Sequence, residues 1–550
     1  MSAPTVSRSS SETEAEVFWR ERALRAEAEN VLLTERLAAA EARLVELAEQ
    51  VAVLSRMLFG RSSEKTATGA GPDPLDDGTQ TSPVGGDNAA GAGEALKRGQ
   101  RPGSKGHGRR DYSHLDTREE IHDLPVGERT CGCCGRAFQV LGSECSEQID
   151  WQVTITRIVH RRLRYRRACE CLGPRTLIAP PAANPISKGR FTAGFLARLL
   201  YQKYLLGQPV HRIVKALAAD GLQVAEGTLA GALKALAGHL EPLSEAITAR
   251  NGAAGHVHAD ETSWRVYEKI EGKDGHRWWL WVFISDDTVV FRMDPTRSTA
   301  VLETHFGITK GQAALPEGRR LVLSTDFFSA YQCLARIEGV DPLWCWAHIR
   351  RYFIRAGDGD PQLRYWRDQW VSRIGDLYLA HRAMAATTPG TGEYNEAHTA
   401  FEDALTVIDT VRQQEMLSPG LRPAAKKVLA TLDHEWEGLV RHRDFPDLDL
   451  DNNKSERALR GPVVGRKNYY GSHAEWSAHL AASVWTITAT AERNHIEPLT
   501  YLTDYLNACA ANGGKPLQSE ALQRFLPWNQ DPDQATGSRD HDPPDITNTG

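Results

Sequence analysis

Residues 256–266 read HVHADETSWRV, in which apolar and polar side chains alternate as they do in a half-buried β-strand. Two apolar stretches follow, RWWLWVFI at 277–284 and TVVFRMD at 288–294, and each predicts a further strand. Residues 319–331, RRLVLSTDFFSAY, contain a fourth apolar strand, and PLWCWAHIRRYF at 342–353 predicts a strand followed by a helix. Three consecutive strands followed by crossover connections predict a mixed sheet flanked by helices.

Two aspartates lie near the ends of predicted strands in this region. Asp260 belongs to the first strand and Asp326 follows the fourth, so the sheet could bring them side by side. Two neighbouring carboxylates repel each other, and a divalent cation relieves that repulsion. The alternative is that each aspartate is a strand-end or turn residue without a chemical role.

A third carboxylate, Glu456, lies in a basic segment further along the chain. Residues 451–471 read DNNKSERALRGPVVGRKNYYG and predict a helix that is capped at one of residues 451–453 and ends at Gly461 and Pro462. The surrounding cations suit phosphate binding, although a charged helix can also be a solvated surface; they are Arg457, Arg460, Arg466 and Lys467. With the two aspartates, this glutamate would complete a site for two Mg²⁺ ions about 3.5–4 Å apart.

A cysteine-rich module precedes the predicted sheet. It contains a C-x-x-C pair and a C-x-C pair separated by strand-like alternation, namely Cys131, Cys134, Cys169 and Cys171. Four thiolates of this kind suit tetrahedral zinc, and in a reducing compartment such clusters favour metal over disulfides. Cys133 and Cys145 are further candidate ligands, and the alternative is a set of ordinary buried thiols.

Two basic segments predict contact with nucleic acid. Residues 156–167 read TRIVHRRLRYRR, a dense arginine run that includes Arg161, Arg162 and Arg164 and that predicts DNA binding without sequence specificity. Residues 97–112, KRGQRPGSKGHGRRDY, alternate cations with glycines and predict a flexible arm that contacts phosphates, with solubility as the alternative.

The first part of the chain has the pattern of a coiled coil. Two interleaved apolar rows repeat every seven residues, Leu37, Leu44, Val51 and Leu58 in one and Leu33, Ala40, Leu47 and Leu54 in the other. Asn30 falls on the first row, where a buried polar residue commonly fixes a dimer. Self-association is the prediction, and an amphipathic helix packed on its own protein is the alternative.

Length and composition set the remaining bounds. A chain of 550 residues is too long for one core, and its formal net charge of −6 says little about partners because basic residues cluster locally. No apolar run approaches the ~20 residues of a membrane span, and the first residues lack the apolar core of a secretion signal. A cytoplasmic protein without a membrane partner is therefore expected.

Several of these blocks, in their order, closely resemble the insertion-sequence-66 transposases, a bacterial family that uses two aspartates and a glutamate. The resemblance is carried by HADETSWRV, STDFFSAY, WCWAHIRRYF and DNNKSERALRGPVVGRKNYYGS. It extends outward through MLFGRSSEK, RGQRPGSKGHGR, the cysteine module, PISKGRFTAGFLARLLYQKYLLGQPVHRI and AERNHIEPLTYLTDYL. The C-x-C pair and Gly461 depart from the family's commoner C-x-x-C and Arg-Pro.

The resemblance implies a ribonuclease-H-like core whose catalytic residues are Asp260, Asp326 and Glu456. These residues would bind catalytic Mg²⁺ or Mn²⁺, and Zn²⁺ would be structural. The implied activity is cleavage of double-stranded DNA at transposon ends and strand transfer into target DNA. The implied partners are further copies of the chain and possible companion proteins of the same element, in a bacterial cytoplasm close to the nucleoid. Cys345 and His348 match a C-x-x-H element that is read as structural or DNA-facing.

The predicted fold is therefore multidomain α+β. The predicted parts are a coiled-coil helix at 14–60, a disordered linker and basic arm at 61–110, a zinc-binding β module at 111–180, a helical region with a possible helix-turn-helix at 185–250, a mixed-sheet catalytic domain at 255–480 with a helical insertion at about 360–445, a helical segment at 481–526 and a disordered tail at 527–550. Two other functions remain open: a non-catalytic DNA-binding regulator derived from a transposase, and a stand-alone nuclease.

Overall fold

The computed structural model describes residues 117–530, with gaps at 126–127, 130, 132, 140–144, 147, 151–152, 170–171, 173, 270, 272 and 274. The described residues fall into two compact units, one with residues 117–153 and the other with residues 154–530. The predicted coiled coil, the linker and basic arm, and the tail beyond residue 530 lie outside the described residues.

In the unit of residues 117–153, a tight turn carries the first cysteine pair. The Gly135 N–H donates to the Cys131 carbonyl at 2.9 Å, and the Cys131 N–H donates to the Arg136 carbonyl at 2.8 Å. Gly135 has a φ of +68°, a backbone conformation that glycine adopts without steric cost. The turn therefore brings Cys131 and Cys134 close together.

The other unit starts with a small exposed hairpin in the arginine-rich segment. Strand β1 (Arg164–Arg166) pairs antiparallel with β2 (Thr176–Ile178), with Tyr165 opposite Leu177. Both strands are exposed along their whole length. The Arg162 Nε donates to the Ala179 carbonyl at 2.7 Å and extends the pairing.

Three helical elements and a π-turn lead from the hairpin to the main sheet. They are α1 (Ala193–Leu200), the π-turn (Tyr201–Leu205), α2 (Val210–Ala219) and α3 (Glu226–Gly252). Ile213 of α2 and Leu229 and Leu233 of α3 are buried, and Gly221 turns the chain between the two helices with a φ of +89°. The two helices predicted on either side of this glycine are present.

A five-stranded mixed sheet forms the centre of this unit. Its strands are β3 (His256–Arg265), β4 (Arg277–Ile284), β5 (Val289–Asp294), β6 (Leu321–Thr325) and β7 (Val340–Trp344). The spatial order is β5-β4-β3-β6-β7, in which the first three strands are antiparallel and β6 runs parallel to both β3 and β7. The mixed sheet flanked by helices that the sequence predicts is thus confirmed.

Helices fill the connections and the region after β7. They are α4 (Thr299–Phe306), α5 (Ser329–Leu334), α6 (Trp346–Gly359), α7 (Arg364–Ala385), α8 (Gly392–Met416), α9 (Pro423–His434) and α10 (Trp436–Val440). Helices α7 and α8 pack together through polar as well as apolar contacts. The indole N–H groups of Trp366 and Trp370 both donate to Glu415 Oε2, at 2.7 and 2.9 Å.

The helix that carries Glu456 is longer than predicted. This helix, α11 (Asn453–Tyr469), has Asn452 as its N-cap, as expected, but it continues through Gly461 and Pro462. The predicted end at these two residues is wrong because tertiary contacts hold the second half of the helix. Pro462 is buried, and the Asn468 Nδ2 donates to the Gly207 carbonyl at 3.0 Å.

Three further helices complete the described chain: α12 (Glu475–Arg493), α13 (Pro498–Ala511) and α14 (Ser519–Gln523). Helix α12 covers the edge strand β5, since Thr490 and Thr486 accept the Val289 and Phe291 N–H groups at 3.0 and 2.9 Å. The domain boundary predicted at residues 480–481 therefore falls inside a helix that belongs to the sheet. No helix in the described ranges is both long and apolar enough to cross a membrane.

The buried side chain of Asn452 joins α11 to the centre of the sheet. Its Nδ2 donates to the Ala259 carbonyl at 2.7 Å, and its Oδ1 accepts from His258 Nδ1 at 3.1 Å and from Ser455 Oγ at 2.6 Å. Its backbone N–H donates to Cys345 Sγ at 3.2 Å. The first turn of α11 is thereby fixed against β3 beside Asp260.

We expect Asn452→Ala to lower the free energy of unfolding by about 2–3 kcal/mol, because it leaves buried donors and an acceptor without partners. Urea unfolding of the full chain, followed by tryptophan fluorescence, measures this change. The control is Asn395→Ala, an exposed position in α8, for which the expected change is within about 0.5 kcal/mol. Equal urea midpoints for the two variants would contradict the role of Asn452.

Candidate active site

The sheet brings Asp260, on β3, and Asp326, directly after β6, to the same part of the molecule. In the parallel pairing of β3 with β6, His258 lies opposite Ser324; Asp260 is two residues further along β3, and Asp326 is two residues further along the chain, just past the end of β6. The Asp260 Oδ1 accepts the Glu261 N–H at 2.8 Å, and the Asp326 Oδ1 accepts the Phe328 N–H at 2.9 Å. The structure thus brings together the two aspartates that the sequence singles out.

The electrostatics of Asp260 show that four carboxylates share this region. Burial raises the pKa of Asp260 well above its usual range, and the nearby charges of Glu261, Asp326 and Glu456 raise it further. Each added negative charge makes ionisation of Asp260 more costly. A cation placed here would remove that cost, so the arrangement suits a positively charged ligand.

Glu456 approaches from the first turn of α11 but is engaged by helix α6. Its carboxylate forms an ion pair with the guanidinium of Arg351, and His348 Nε2 lies 3.7 Å from Glu456 Oε1. Burial lowers the pKa of His348 to about 4, so this histidine is neutral at neutral pH. Arg351 therefore supplies a positive charge that balances Glu456 directly.

The three predicted metal ligands are not grouped as a metal site in this conformation. Within the part of the chain that the structure describes, no three His, Cys, Asp or Glu side chains are grouped so that they could hold a metal ion. The two aspartates are in place, whereas Glu456 points toward Arg351. Arg351 and His348 both approach Glu456 Oε1, so a cation that bound this oxygen would compete with the Arg351 guanidinium.

Glu261 is a buried neighbour of Asp260 that the sequence does not single out. Its side chain is fully buried; Oε1 accepts from Arg297 Nε at 2.7 Å and Oε2 accepts from the Tyr331 hydroxyl. The Arg297 guanidinium lies 3.7 Å from the ring centroid of Phe328. Because both Glu261 oxygens are occupied, Asp260 is the member of the Asp-Glu pair that remains available. Adjacent side chains on a strand point to opposite faces of the sheet. The alternation in β3 therefore already indicates that Asp260 and Glu261 have different surroundings.

Cys345 has a structural role in this arrangement. It is buried, and its Sγ accepts the Asn452 N–H that begins α11. His348, three residues later, lies beside Glu456. The C-x-x-H element thus supports the candidate active site from helix α6.

The basic residues predicted to bind DNA differ in their surroundings. Arg457, Arg460 and Lys467 are exposed on α11. Arg466 instead donates to the Ser263 carbonyl and to Thr262 Oγ1, the latter at 3.3 Å, which ties α11 to β3. In the hairpin region, Arg161, Arg162 and Arg164 are exposed. Their contacts with DNA stay predictions.

The predicted zinc ligands are only partly described. Backbone hydrogen bonds from Cys133 and Cys134 lower the pKa of the Cys131 thiol, which favours the thiolate that zinc requires. Cys134 and Cys169 are exposed, and Cys171 lies outside the described residues. The zinc site stays a prediction.

Comparison with known proteins finds a family model that matches the part of the chain containing this site. The family model described as Transposase IS66 family matches residues 188–480, a range that contains Asp260, Asp326 and Glu456. The uncharacterized protein y4qI of Sinorhizobium fredii is 25% identical over 547 residues, which cover 90% of each chain. The uncharacterized protein y4jD of the same organism is 26% identical over 516 residues, or 89% of this chain and 96% of its own.

We expect Arg351→Gln to increase the affinity for Mn²⁺, because no guanidinium then competes with the ion for the Glu456 carboxylate. An ion pair worth about 1 kcal/mol corresponds to an increase of about fivefold. Isothermal titration of Mn²⁺ into the protein without DNA measures it. The matched control is Arg355→Gln, which removes the same charge from an exposed position one turn along α6. Equal Mn²⁺ affinities for the two variants would show that Arg351 does not compete with the metal.

Proposed function

This chain belongs to the Transposase IS66 family, and from that premise we propose that it cuts DNA at the ends of an insertion sequence and joins those ends to target DNA. Membership of the family implies a transposase role. The observation that supports the finer proposal is the adjacent placement of Asp260 and Asp326, with the charge of Glu456 close enough to raise the pKa of Asp260.

Asp260, Asp326 and Glu456 are the proposed ligands of Mg²⁺ or Mn²⁺. When bound, such ions activate a water or a 3′-hydroxyl and stabilise the oxygen that leaves in an in-line displacement. The residues fit this group, because oxygen ligands suit these cations and the mutual repulsion at Asp260 falls when a cation binds. The neighbouring Glu261 is not a proposed ligand, because both of its carboxylate oxygens accept hydrogen bonds from Arg297 and Tyr331.

The chain's own residues would position the DNA and the carboxylates. Asn452 keeps the first turn of α11 beside β3, so Glu456 stays within reach of Asp260. Arg351 would exchange its pairing with Glu456 for a DNA phosphate when the site assembles. The exposed Arg457, Arg460 and Lys467 would bind further phosphates along α11.

Joining two ends to one target requires more than one copy of the chain. We propose that copies associate through the heptads of residues 14–60. Arg161, Arg162 and Arg164 would add DNA contacts without sequence specificity. The proposed setting is the bacterial cytoplasm, where the DNA substrate lies.

We expect Asp260→Asn, Asp326→Asn and Glu456→Gln each to lower DNA cleavage and strand transfer by more than about a hundredfold. Removing a group that only orients a metal ligand lowers metal affinity or activity by up to about a hundredfold. Removing a ligand itself is expected to lower activity by more than that. Assays on end-labelled DNA with Mg²⁺ separate nicked from joined products, while a gel-shift assay checks that DNA binding persists.

The control for these variants is Glu520→Gln, whose side chain is 86% exposed and which should retain wild-type activity. Undiminished cleavage by Asp260→Asn would contradict the catalytic assignment. Binding of the ends without cleavage by the wild type would favour the non-catalytic regulator, and nicking without joining would favour a stand-alone nuclease.

We further propose that Cys131, Cys134, Cys169 and Cys171 bind a structural zinc ion, about one per chain. Replacing Cys131 and Cys134 by serine is expected to remove most of the zinc from the purified protein, as measured by inductively coupled plasma mass spectrometry. The control is Cys333→Ser, an exposed cysteine of α5. Unchanged zinc content in the double variant would exclude this ligand set.

A further inference from the structure

His348 lies in the first turn of α6, beside the first turn of α11 that carries Glu456. The His348 Nε2 is 3.7 Å from Glu456 Oε1, and the two side chains are 18% and 32% exposed, so both are open to ions from solution. Histidine is the commonest metal ligand among protein side chains, and carboxylate oxygens suit divalent cations. The two residues therefore present one nitrogen and one oxygen ligand to the same space.

Backbone hydrogen bonds hold the starts of these two helices together. Cys345 is the N-cap of α6, and its Sγ accepts the Asn452 N–H at 3.2 Å. The Trp346 N–H donates to the Leu450 carbonyl at 3.0 Å. Because both bonds join the start of α6 to the residues directly before α11, the backbone sets the spacing between the two first turns.

The guanidinium of Arg351 already places one positive charge against both atoms. Its Nη2 pairs with Glu456 Oε1, and its Nη1 lies 3.4 Å from His348 Nε2. A guanidinium only donates hydrogen bonds, so His348 Nε2 is the acceptor and carries the lone pair of the ring. An imidazole nitrogen in this form is the one that binds a metal ion. The structure thus shows a cation in contact with the two atoms that a metal would bind.

The distance between the two atoms is close to that between two ligands of one ion. In an octahedral site with bonds of about 2.1 Å, neighbouring ligands are about 3 Å apart. The 3.7 Å between His348 Nε2 and Glu456 Oε1 exceeds this spacing by less than about 1 Å.

The imidazole of His348 is also close to the second aspartate. Phe327, the residue after Asp326, packs edge-on against the ring with the centroids 6.3 Å apart. Burial and then the positive charge of Arg351 lower the pKa of His348, whereas the negative charge of Asp326 raises it. His348 therefore interacts with two of the three proposed carboxylate ligands.

We propose that His348 Nε2 is a further ligand of the divalent cation that the three carboxylates bind, and that it makes the site favour Mn²⁺ over Mg²⁺. The nitrogen takes the place beside Glu456 Oε1 that the Arg351 guanidinium occupies in this structure. Imidazole suits transition-metal ions, whereas Mg²⁺ keeps oxygen ligands and water. The inference rests on the proposed function, because it adds a ligand to the proposed metal site.

The test is electron spin-echo envelope modulation of Mn²⁺ bound to the full-length protein, which detects a nitrogen nucleus coordinated to the ion. The protein carries no histidine tag, and the buffer contains no imidazole or amine. We expect nitrogen modulation in the wild type and its loss in His348→Gln, which offers an oxygen but no ring nitrogen. The matched control is His211→Gln, the same change at an exposed position of α2, which should keep the modulation.

Metal affinities provide the second measurement. The Mn²⁺ affinity is obtained from the signal of the free ion, and the Mg²⁺ affinity from competition with Mn²⁺. We expect His348→Gln to weaken Mn²⁺ binding about tenfold and Mg²⁺ binding less than about threefold, so that the preference for Mn²⁺ falls.

The spectrum of the wild type does not depend on the folding of any variant. A wild type that binds Mn²⁺ without nitrogen modulation would overturn the inference, and so would modulation that persists in His348→Gln. An equal loss of Mn²⁺ and Mg²⁺ affinity in His348→Gln, without nitrogen modulation in the wild type, would show that His348 only supports the Glu456 side chain.

Asp260→Asn distinguishes failure of this inference from failure of the proposed function. If this variant binds Mn²⁺ more weakly than the wild type while the wild type shows no nitrogen modulation, only the role of His348 is wrong. If the wild type binds no Mn²⁺, or Asp260→Asn binds it with wild-type affinity, the proposed metal site fails and this inference fails with it.

Discussion

The candidate site depends on one buried amide, the side chain of Asn452, which joins the start of α11 to the middle of β3. Its hydrogen bonds to Ala259, His258 and Ser455 fix where the helix begins relative to the strand that carries Asp260. A residue nearly two hundred positions away in sequence is thereby held next to the first aspartate. Without this connection, Glu456 would be a surface glutamate on a basic helix, since nothing local to its own segment directs it to the sheet.

Charge balance around the site follows from that constraint. Fixing α11 on β3 concentrates Asp260, Asp326 and Glu456 in one region, and burial together with the neighbouring charges raises the pKa of Asp260. Two arginines balance this negative charge in different ways. Arg297 pairs with the fully buried Glu261 and is a structural counterion, whereas Arg351 pairs with Glu456, whose side chain is partly exposed. Arg351 is therefore the cation that a ligand at the carboxylates can replace.

Much of the fold could be predicted because its signals are local. Alternation in β3, apolar runs in β4, β5 and β6, and an aspartate at the end of β6 suffice for a mixed sheet with two adjacent carboxylates. The remaining features depend on contacts between distant segments. Packing between distant segments sets the continuation of α11 beyond Pro462 and the pairing of Arg351 with Glu456. No local pattern of the sequence encodes these features.

The central claim is that Asp260, Asp326 and Glu456 form one divalent-metal site. Anomalous diffraction from crystals of the protein with a DNA end and Mn²⁺ tests it most directly. The account predicts Mn²⁺ between the carboxylates of Asp260 and Asp326, with Glu456 as a further ligand and the Arg351 guanidinium turned away from it. Mn²⁺ bound elsewhere, in crystals whose DNA is cut, with Glu456 still paired to Arg351, would contradict the account.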